Sequence, residues 1–449
     1  MLRGGHGKPL RMDRSLPNLR RLTSWLGAHP LWIAPALGAL AACGFEPLRL
    51  WPLTLAALAG LLALGLAAPS PRRAALIGWL FGVGHFTLGN NWIVTAFTYQ
   101  AEMPAWLGWI AVLLLSLYLA VWPALTLAAT RLIAGSRADV AVPAFAGCWI
   151  LGEWLRGWVF TGFPWNPLGV VALGPFDRPG LAFTLPWLGT YALSGLVALF
   201  AAVWLLALKR RRMDAVGAAL VLGPLALLAA PFPAPPRQEG KLAYTLVQPD
   251  VRQEELHDPT RYEATYQRAM RLSQGRAGQV RVIFWPESGL PDYLHPGYPP
   301  NWYRATTFAA DPAVARWRIG QMIGPGALLL TGNDTLEVER GKVVGARAGI
   351  AAIENSGRIR ATYAKSHLVP YGEYLPLRPL LEAVGLSRLV PGDVEFWPGP
   401  GPRTLDLGPW GKGAMQLCYE IIFPGAVVEE GNRPDYIFNP SNDGWYGDW

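Results

Sequence analysis

The chain has 449 residues, 52% of them hydrophobic and only 16% charged, with a formal net charge of +8. A charged share well under the roughly 25% of soluble domains excludes a wholly soluble protein. The basic residues gather in the N-terminal arm (Arg3, Lys8, Arg11, Arg14, Arg20, Arg21) and in short breaks between apolar runs, where cytoplasmic lysine and arginine are expected, so the charge argues for a membrane and against nucleic acid.

Residues 1–30 read as a basic cytoplasmic arm. Residues 31–231 form a membrane domain of about seven helices, since a span needs about 20 apolar residues; the candidate stretches are 31–47, 50–68, 74–98, 104–131, 140–160, 180–208 and 214–231. Breaks such as Pro69-Ser70-Pro71-Arg72-Arg73 and Lys209-Arg210-Arg211-Arg212 carry turn residues and charge. With the arm inside, every break holding two or more basic residues falls on the cytoplasmic side, and an odd number of spans delivers the remainder of the chain to the far side.

Leu40-Ala41-Ala42-Cys43 looks like a lipoprotein cleavage box, but six further spans follow, and the residues read as packing inside a first helix. Glu153 and Arg156, three apart on one helix face, are placed to pair with each other. His85, Asn90 and Asn91 form a second polar group at membrane depth. Gly162-Phe163-Pro164-Trp165-Asn166-Pro167 cannot continue a helix and reads as a re-entrant or interfacial segment.

Residues 232–240, with Pro233-Ala234-Pro235-Pro236, form a stiff linker. From 241 to 449 the composition becomes that of a soluble domain. Strands are expected at 242–247, 280–284, 327–330, 350–353, 359–363, 413–417 and 436–438, and a helix at 259–272. Strands alternating with helices indicate an α/β layered fold, whose sites form beyond the carboxyl ends of the strands.

Glu287, Lys365 and Cys418 each closely follow an expected strand. A free thiol is a few per cent thiolate at neutral pH; a carboxylate can take its proton, and a cation can offset the resulting charge and face the oxyanion of a tetrahedral intermediate. The three therefore suggest a cysteine nucleophile with Glu287 as base and Lys365 as cationic helper, forming a thioester that a second nucleophile attacks. Plainer readings stand beside each: Cys418 as inert packing, Glu287 as a helix cap, Lys365 as a surface charge, and His367 as an alternative partner for the thiol. The three cysteines, Cys43, Cys148 and Cys418, make neither a disulfide framework nor a CxxC zinc pattern, and no metal or organic cofactor is implied.

Trp285-Pro286-Glu287-Ser288, the run from Lys365-Ser366-His367-Leu368-Val369-Pro370 through Tyr371-Gly372-Glu373-Tyr374-Leu375-Pro376, and Cys418-Tyr419-Glu420 resemble the nitrilase superfamily. More narrowly they resemble its membrane-anchored branch, apolipoprotein N-acyltransferase, as do Gly162-Phe163-Pro164-Trp165 and Ser441-Asn442-Asp443-Gly444-Trp445. The resemblance covers nearly the whole chain. It implies an αββα sandwich facing the periplasm from a bacterial inner membrane, with Glu287, Lys365 and Cys418 as the catalytic set. It also implies supporting roles for Glu373 and Glu420, and places for Tyr419 and Trp445 in an acyl or headgroup pocket.

The implied donor is a phospholipid and the implied acceptor the α-amine of a diacylglyceryl-cysteine on an apolipoprotein. Two apolar, proline-rich stretches, 290–300 and 375–400, are candidate lids. Arg347-Ala348-Gly349 stands where the family commonly shows Tyr-Asn-Ser. The family also continues beyond the position of Trp449, so the resemblance implies a catalytic domain incomplete at its C-terminus and unstable or inactive as it stands. The rival readings are a membrane-tethered amidase or nitrile hydrolase using water as second nucleophile, and a non-enzymatic transporter or scaffold.

Overall fold

The computed structural model describes residues 29–99, 104–175, 178–209, 214–233, 240–256, 258–275, 278–376, 394–442 and 444. Most of the basic arm, the Arg210–Arg212 part of the loop cluster, most of the proline linker, the centre of the second candidate lid and Trp445 lie outside the described residues. The chain divides into two compact units, one of residues 1–89, 115–152 and 194–227 and the other of residues 90–114, 153–193 and 228–449.

All seven apolar stretches contain helix. Leu107–Ala134, Ala138–Arg156 and Leu181–Ala207 are long and apolar enough to cross a membrane, while Pro30–Ala42, Trp51–Ala67 and Ala215–Ala229 are shorter apolar helices. The 74–98 stretch becomes a 19-residue helix, Pro71–Gly89, and a separate short turn of helix, Ile93–Ala96.

In the first unit, Pro30–Ala42 packs against Pro71–Gly89, which packs in turn against Val121–Ala134. Small residues make this possible: a Cβ on Gly38 would lie 1.9 Å from the Phe81 carbonyl oxygen, and one on Gly84 would lie 2.1 Å from that of Pro35. Close backbone approach at small residues is how helices associate where lipid removes the hydrophobic drive. Cys43 caps the first helix, its thiol donating to the Ala39 carbonyl at 3.4 Å. His85 is buried among Phe45, Phe81 and Phe86.

The second unit contains the sheets. Strands β1 (Ala243–Leu246), β2 (Arg281–Phe284), β3 (Ala327–Gly332), β6 (Gly349–Glu354) and β7 (Ile359–Ala364) form one sheet in the order β1-β2-β3-β6-β7. The first three are parallel, and β6 and β7 join antiparallel. Strands β8 (Arg403–Asp406), β9 (Lys412–Met415) and β10 (Tyr436–Phe438) form a second sheet, and β4 (Thr335–Glu339) pairs with β5 (Lys342–Arg347) in a hairpin.

Side chains alternate along each strand, and the alternation sorts the core. Ile283, Leu329, Ala351 and Ile353 face the helices Tyr262–Leu272 and Pro312–Ile323 through Tyr266, Ile319 and Ile323. Val282, Leu328, Leu330, Ile350 and Ala352 face the second sheet through Leu407, Met415, Leu417 and Phe438. The described residues thus build helix, sheet and sheet in layers; an outer helical layer on the second sheet is not among them.

Three expectations are corrected. The strand before Cys418 ends at Met415, not Leu417. Strands β4, β5 and β8 and the helix Pro312–Ile323, capped by the Asp311 carboxylate at 2.7 Å from the Ala313 N–H, were not anticipated. The 290–300 stretch is anchored rather than a free lid. Leu290 and Leu294 are buried in the helix-facing core, and the Asp292 carboxylate accepts from the Phe308 N–H at 2.7 Å.

Candidate active site

Four loops at strand ends meet in the second unit. The first follows β2, where Trp285 continues the ladder through its N–H to the Leu330 carbonyl at 2.9 Å. Ser288 then takes a left-handed conformation, φ 54°, which turns the chain sharply at Glu287. One Glu287 oxygen accepts the Asn442 N–H at 2.9 Å, and the carboxyl group lies close enough to Cys418 to raise its thiol pKa. It is no helix cap.

Cys418 opens a short 3-10 turn, Cys418–Ile422, and is itself left-handed at φ 52°. That backbone is costly for a non-glycine residue and persists only where the surroundings enforce it. Here the segment after β10 does so. The Cys418 N–H donates to the Pro440 carbonyl at 2.9 Å, and the Asn439 side-chain amide donates to the Cys418 carbonyl at 3.3 Å. The Ser441 hydroxyl donates to the sulfur at 3.6 Å.

Lys365 follows β7, where its N–H donates to the Ala348 carbonyl at 2.8 Å. That backbone contact is made by the Arg347-Ala348-Gly349 segment itself. The Lys365 side chain is only 1% exposed, so it is no surface charge. Its Nζ meets the Glu373 carboxylate at 2.8 Å, and the other Glu373 oxygen accepts the Val369 N–H at 2.8 Å.

Glu420, 2% exposed, binds the lysine and cysteine loops together. It accepts from the Ser366 N–H at 2.8 Å, the Ser366 hydroxyl at 2.7 Å, the His367 N–H at 3.1 Å, the Leu417 N–H at 2.9 Å and the Tyr363 hydroxyl at 2.9 Å. Tyr419 turns the other way. Its ring stacks on Trp165 at 6.4 Å, and its hydroxyl donates to the Gly162 carbonyl at 3.3 Å.

His367 does not partner the thiol. Its Nε2 lies 2.8 Å from the Thr161 carbonyl and its ring packs on Phe423 at 3.6 Å; burial lowers its pKa.

The electrostatics follow from burial. Desolvation first, and Glu287 second, push the Cys418 thiol up to about 12 against the pull of Lys365. Burial also raises Glu287, with Lys365 opposing. Burial works against the Lys365 ammonium, but Glu373, Glu287 and Cys418 outweigh it and hold its pKa above the ordinary value. The site therefore holds a thiol kept from ionising, beside a carboxyl group of enhanced basicity and a fixed ammonium.

Sequence reasoning missed Asp334. It lies just past β3, in the same kind of position as the other three, and Gly332 beside it abuts Glu287, at 3.2 Å from the Glu287 Cα to an added Cβ. Asp334 keeps an exposed surface, yet desolvation first, then Glu373 and Glu287, push it up to about 7. The Gly332-Asn333-Asp334 turn after an apolar strand was the available signal. Among the described residues no cluster of histidine, cysteine and carboxylates is suited to a metal.

Residues 37–203 match the family model for the apolipoprotein N-acyltransferase N-terminal domain, and residues 246–448 match that for carbon-nitrogen hydrolase. A relative from Rhodopseudomonas palustris named apolipoprotein N-acyltransferase is 32% identical over 440 residues, covering 92% of this chain and 78% of its own. A relative of the same name from Brucella melitensis is 33% identical over 388 residues, covering 84% and 69%. Among solved structures, an amidase of the nitrilase superfamily from Nesterenkonia matches 46% of this chain and 66% of its own at 19% identity, with a TM-score of 0.28.

Proposed function

The chain belongs to the apolipoprotein N-acyltransferase family, and from that premise we propose that it moves an acyl chain from a phospholipid, through a thioester on Cys418, to the N-terminal amine of a diacylglyceryl-cysteine on an apolipoprotein. The observation that carries this reading is the convergence of Glu287, Lys365 and Cys418, which act electrostatically on one another around the buried Lys365 ammonium.

In the first half-reaction Glu287 takes the thiol proton as sulfur attacks the ester carbonyl. The oxyanion faces Lys365, a contact of a kind worth about 3–4 kcal/mol in transition-state stabilisation. Collapse breaks the ester C–O bond, and Glu287 returns the proton to the departing oxygen, so the lysophospholipid leaves as an alcohol and Glu287 is free again. In the second half-reaction the neutral acceptor amine attacks the thioester carbonyl and gives its proton to Glu287. Collapse then forms the amide and expels the thiolate, which recovers the proton. The raised pKa of Glu287 suits a group that must both take and return a proton near neutral pH.

Glu373 keeps Lys365 aimed, and Glu420 fixes the lysine loop to the cysteine turn. Tyr419 is assigned to a pocket for the acyl chain or headgroup, and the motif that carries Trp445 suggests the same role for it. The apolar helices hold the protein in a bacterial inner membrane, with the catalytic domain on the periplasmic side as the basic breaks suggest. The hydrolase alternative is not favoured, because relatives matched over most of the chain carry the transferase name. Incubation with phospholipid carrying a labelled acyl chain tests the reading: label should appear on Cys418 and move to a diacylglyceryl-cysteine peptide. Release of free fatty acid at the same rate with or without that peptide would reject it in favour of hydrolysis.

A further inference from the structure

Glu153 and Arg156 end the apolar helix Ala138–Arg156, 7% and 2% exposed. Burying charge at such a place is costly unless hydrogen bonds compensate. Compensating bonds run from both residues to one loop. The Arg156 guanidinium donates to the Trp165 carbonyl at 2.8 Å and the Asn166 carbonyl at 3.5 Å. Glu153 accepts the Leu168 N–H at 2.7 Å, and the Phe163 N–H returns to the Arg156 carbonyl at 2.7 Å. Both ends of the 157–168 loop are thereby fixed.

The loop is shaped to meet the candidate active site. Gly162 is left-handed at φ 73°, and a Cβ there would lie 2.3 Å from the Gly157 carbonyl oxygen and 3.2 Å from the Phe423 ring. Its Thr161 carbonyl meets His367, two residues from Lys365, and its Gly162 carbonyl and Trp165 ring meet Tyr419, next to Cys418. One loop therefore touches the segments that carry the ammonium and the thiol.

We propose that Glu153 and Arg156 are positioning residues for acyl transfer, holding the 157–168 loop as a brace that sets Cys418 and Lys365 relative to each other. The inference rests on the acyl-transfer reading above. It goes beyond that reading by giving a charged pair at a helix end a share in the reaction's geometry.

The test uses protein in native membranes and two readouts. The first is single-turnover acylation of Cys418 from labelled phospholipid. The second is the pH profile of Cys418 alkylation by iodoacetamide, which needs no acyl transfer. Arg156→Met should slow acylation roughly 10- to 100-fold, the scale expected for a misplacement near 1 Å, and shift the alkylation profile; Arg156→Lys should restore part of both. Trp165→Leu, which leaves the charged pair intact, should show the same signature should the arginine variant fail to fold. Wild-type acylation rates and an unshifted alkylation profile per folded molecule in Arg156→Met, or in Trp165→Leu if the former does not fold, would overturn the inference. Absence of acylation in the wild type would instead overturn the acyl-transfer reading.

Discussion

Glu420 grips Ser366 twice, at its backbone N–H and at its hydroxyl, and through that grip the loop carrying Lys365 is fixed to the turn carrying Cys418. The same carboxylate also accepts from Tyr363, His367 and Leu417. All of these partners donate, so an amide in its place would aim an NH2 group at other N–H or O–H groups. Glu420→Gln should cost about 3 kcal/mol of stability, the scale of leaving buried donors unmatched, and most of the activity. Thermal unfolding followed together with acyl transfer checks this; wild-type melting in the variant would contradict it.

Lys365 sits between carboxylates. Lys365→Met removes the group proposed to face the oxyanion and should lower acyl transfer by about 100- to 1000-fold. It also leaves Glu287 and Glu373 without the ammonium that offsets them, so the thiol, already high through burial and Glu287, should rise further. The alkylation rate of Cys418 against pH reads this directly: the variant's curve should move to higher pH, and an unmoved curve would show that the lysine does not act on the thiol.

The rate should depend on pH through Glu287. As the proposed base it works only when ionised, and burial sets its pKa above the ordinary carboxylate value, with Lys365 holding it back. Activity is therefore lost as pH falls through that raised value. The acidic limb of kcat/KM should lie above the range of a solvent-exposed glutamate, and Glu287→Gln should be inactive at every pH while remaining folded. An acidic limb at the pKa of free glutamate would count against this assignment.

Asp334 gives a stability signature of opposite sign to that of a salt-bridged acid. Its folded pKa is about 7 against an ordinary 3.8, so between those values the unfolded chain has lost a proton that the folded chain keeps. Stability then falls as pH rises from about 4 to about 7. Asp334→Asn should remove the penalty, stabilising the protein at pH 8 by on the order of 1 kcal/mol, since the open side of the residue screens part of the effect, and changing little at pH 4. Equal stability of the two proteins across that range would contradict the placement.

The strands that lead into the candidate site were legible because they are largely apolar and each is followed by a polar residue: Val282 and Ile283 before Glu287, Ile359 to Ala364 before Lys365, Ala414 and Met415 before Cys418. β4, β5 and β8 were not, because Thr-Leu-Glu-Val-Glu, Lys-Val-Val-Gly-Ala-Arg and Arg-Thr-Leu-Asp carry too much charge to stand out from loops. Helix Pro312–Ile323 hid because Arg316, Trp317 and Arg318 interrupt its apolar pattern. The contacts of the braces escaped reading for a different reason, since only the resemblance pointed to Glu420 as a supporting residue. Glu420 meets Ser366 across 54 residues and Thr161 meets His367 across 206, and no local pattern encodes a contact that only the folded chain makes. The motif Gly-Phe-Pro-Trp was visible as a helix breaker; its packing on Tyr419 was not.

The most direct measurement is mass spectrometry of Cys418 in native membranes supplied with phospholipid bearing a mass-labelled acyl chain. The account predicts one labelled acyl group on Cys418 in the wild type, released by neutral hydroxylamine as a thioester must be, discharged when diacylglyceryl-cysteine peptide is added, and missing from Cys418→Ser. An unmodified Cys418 during turnover, or label retained in Cys418→Ser at the wild-type level, would contradict it.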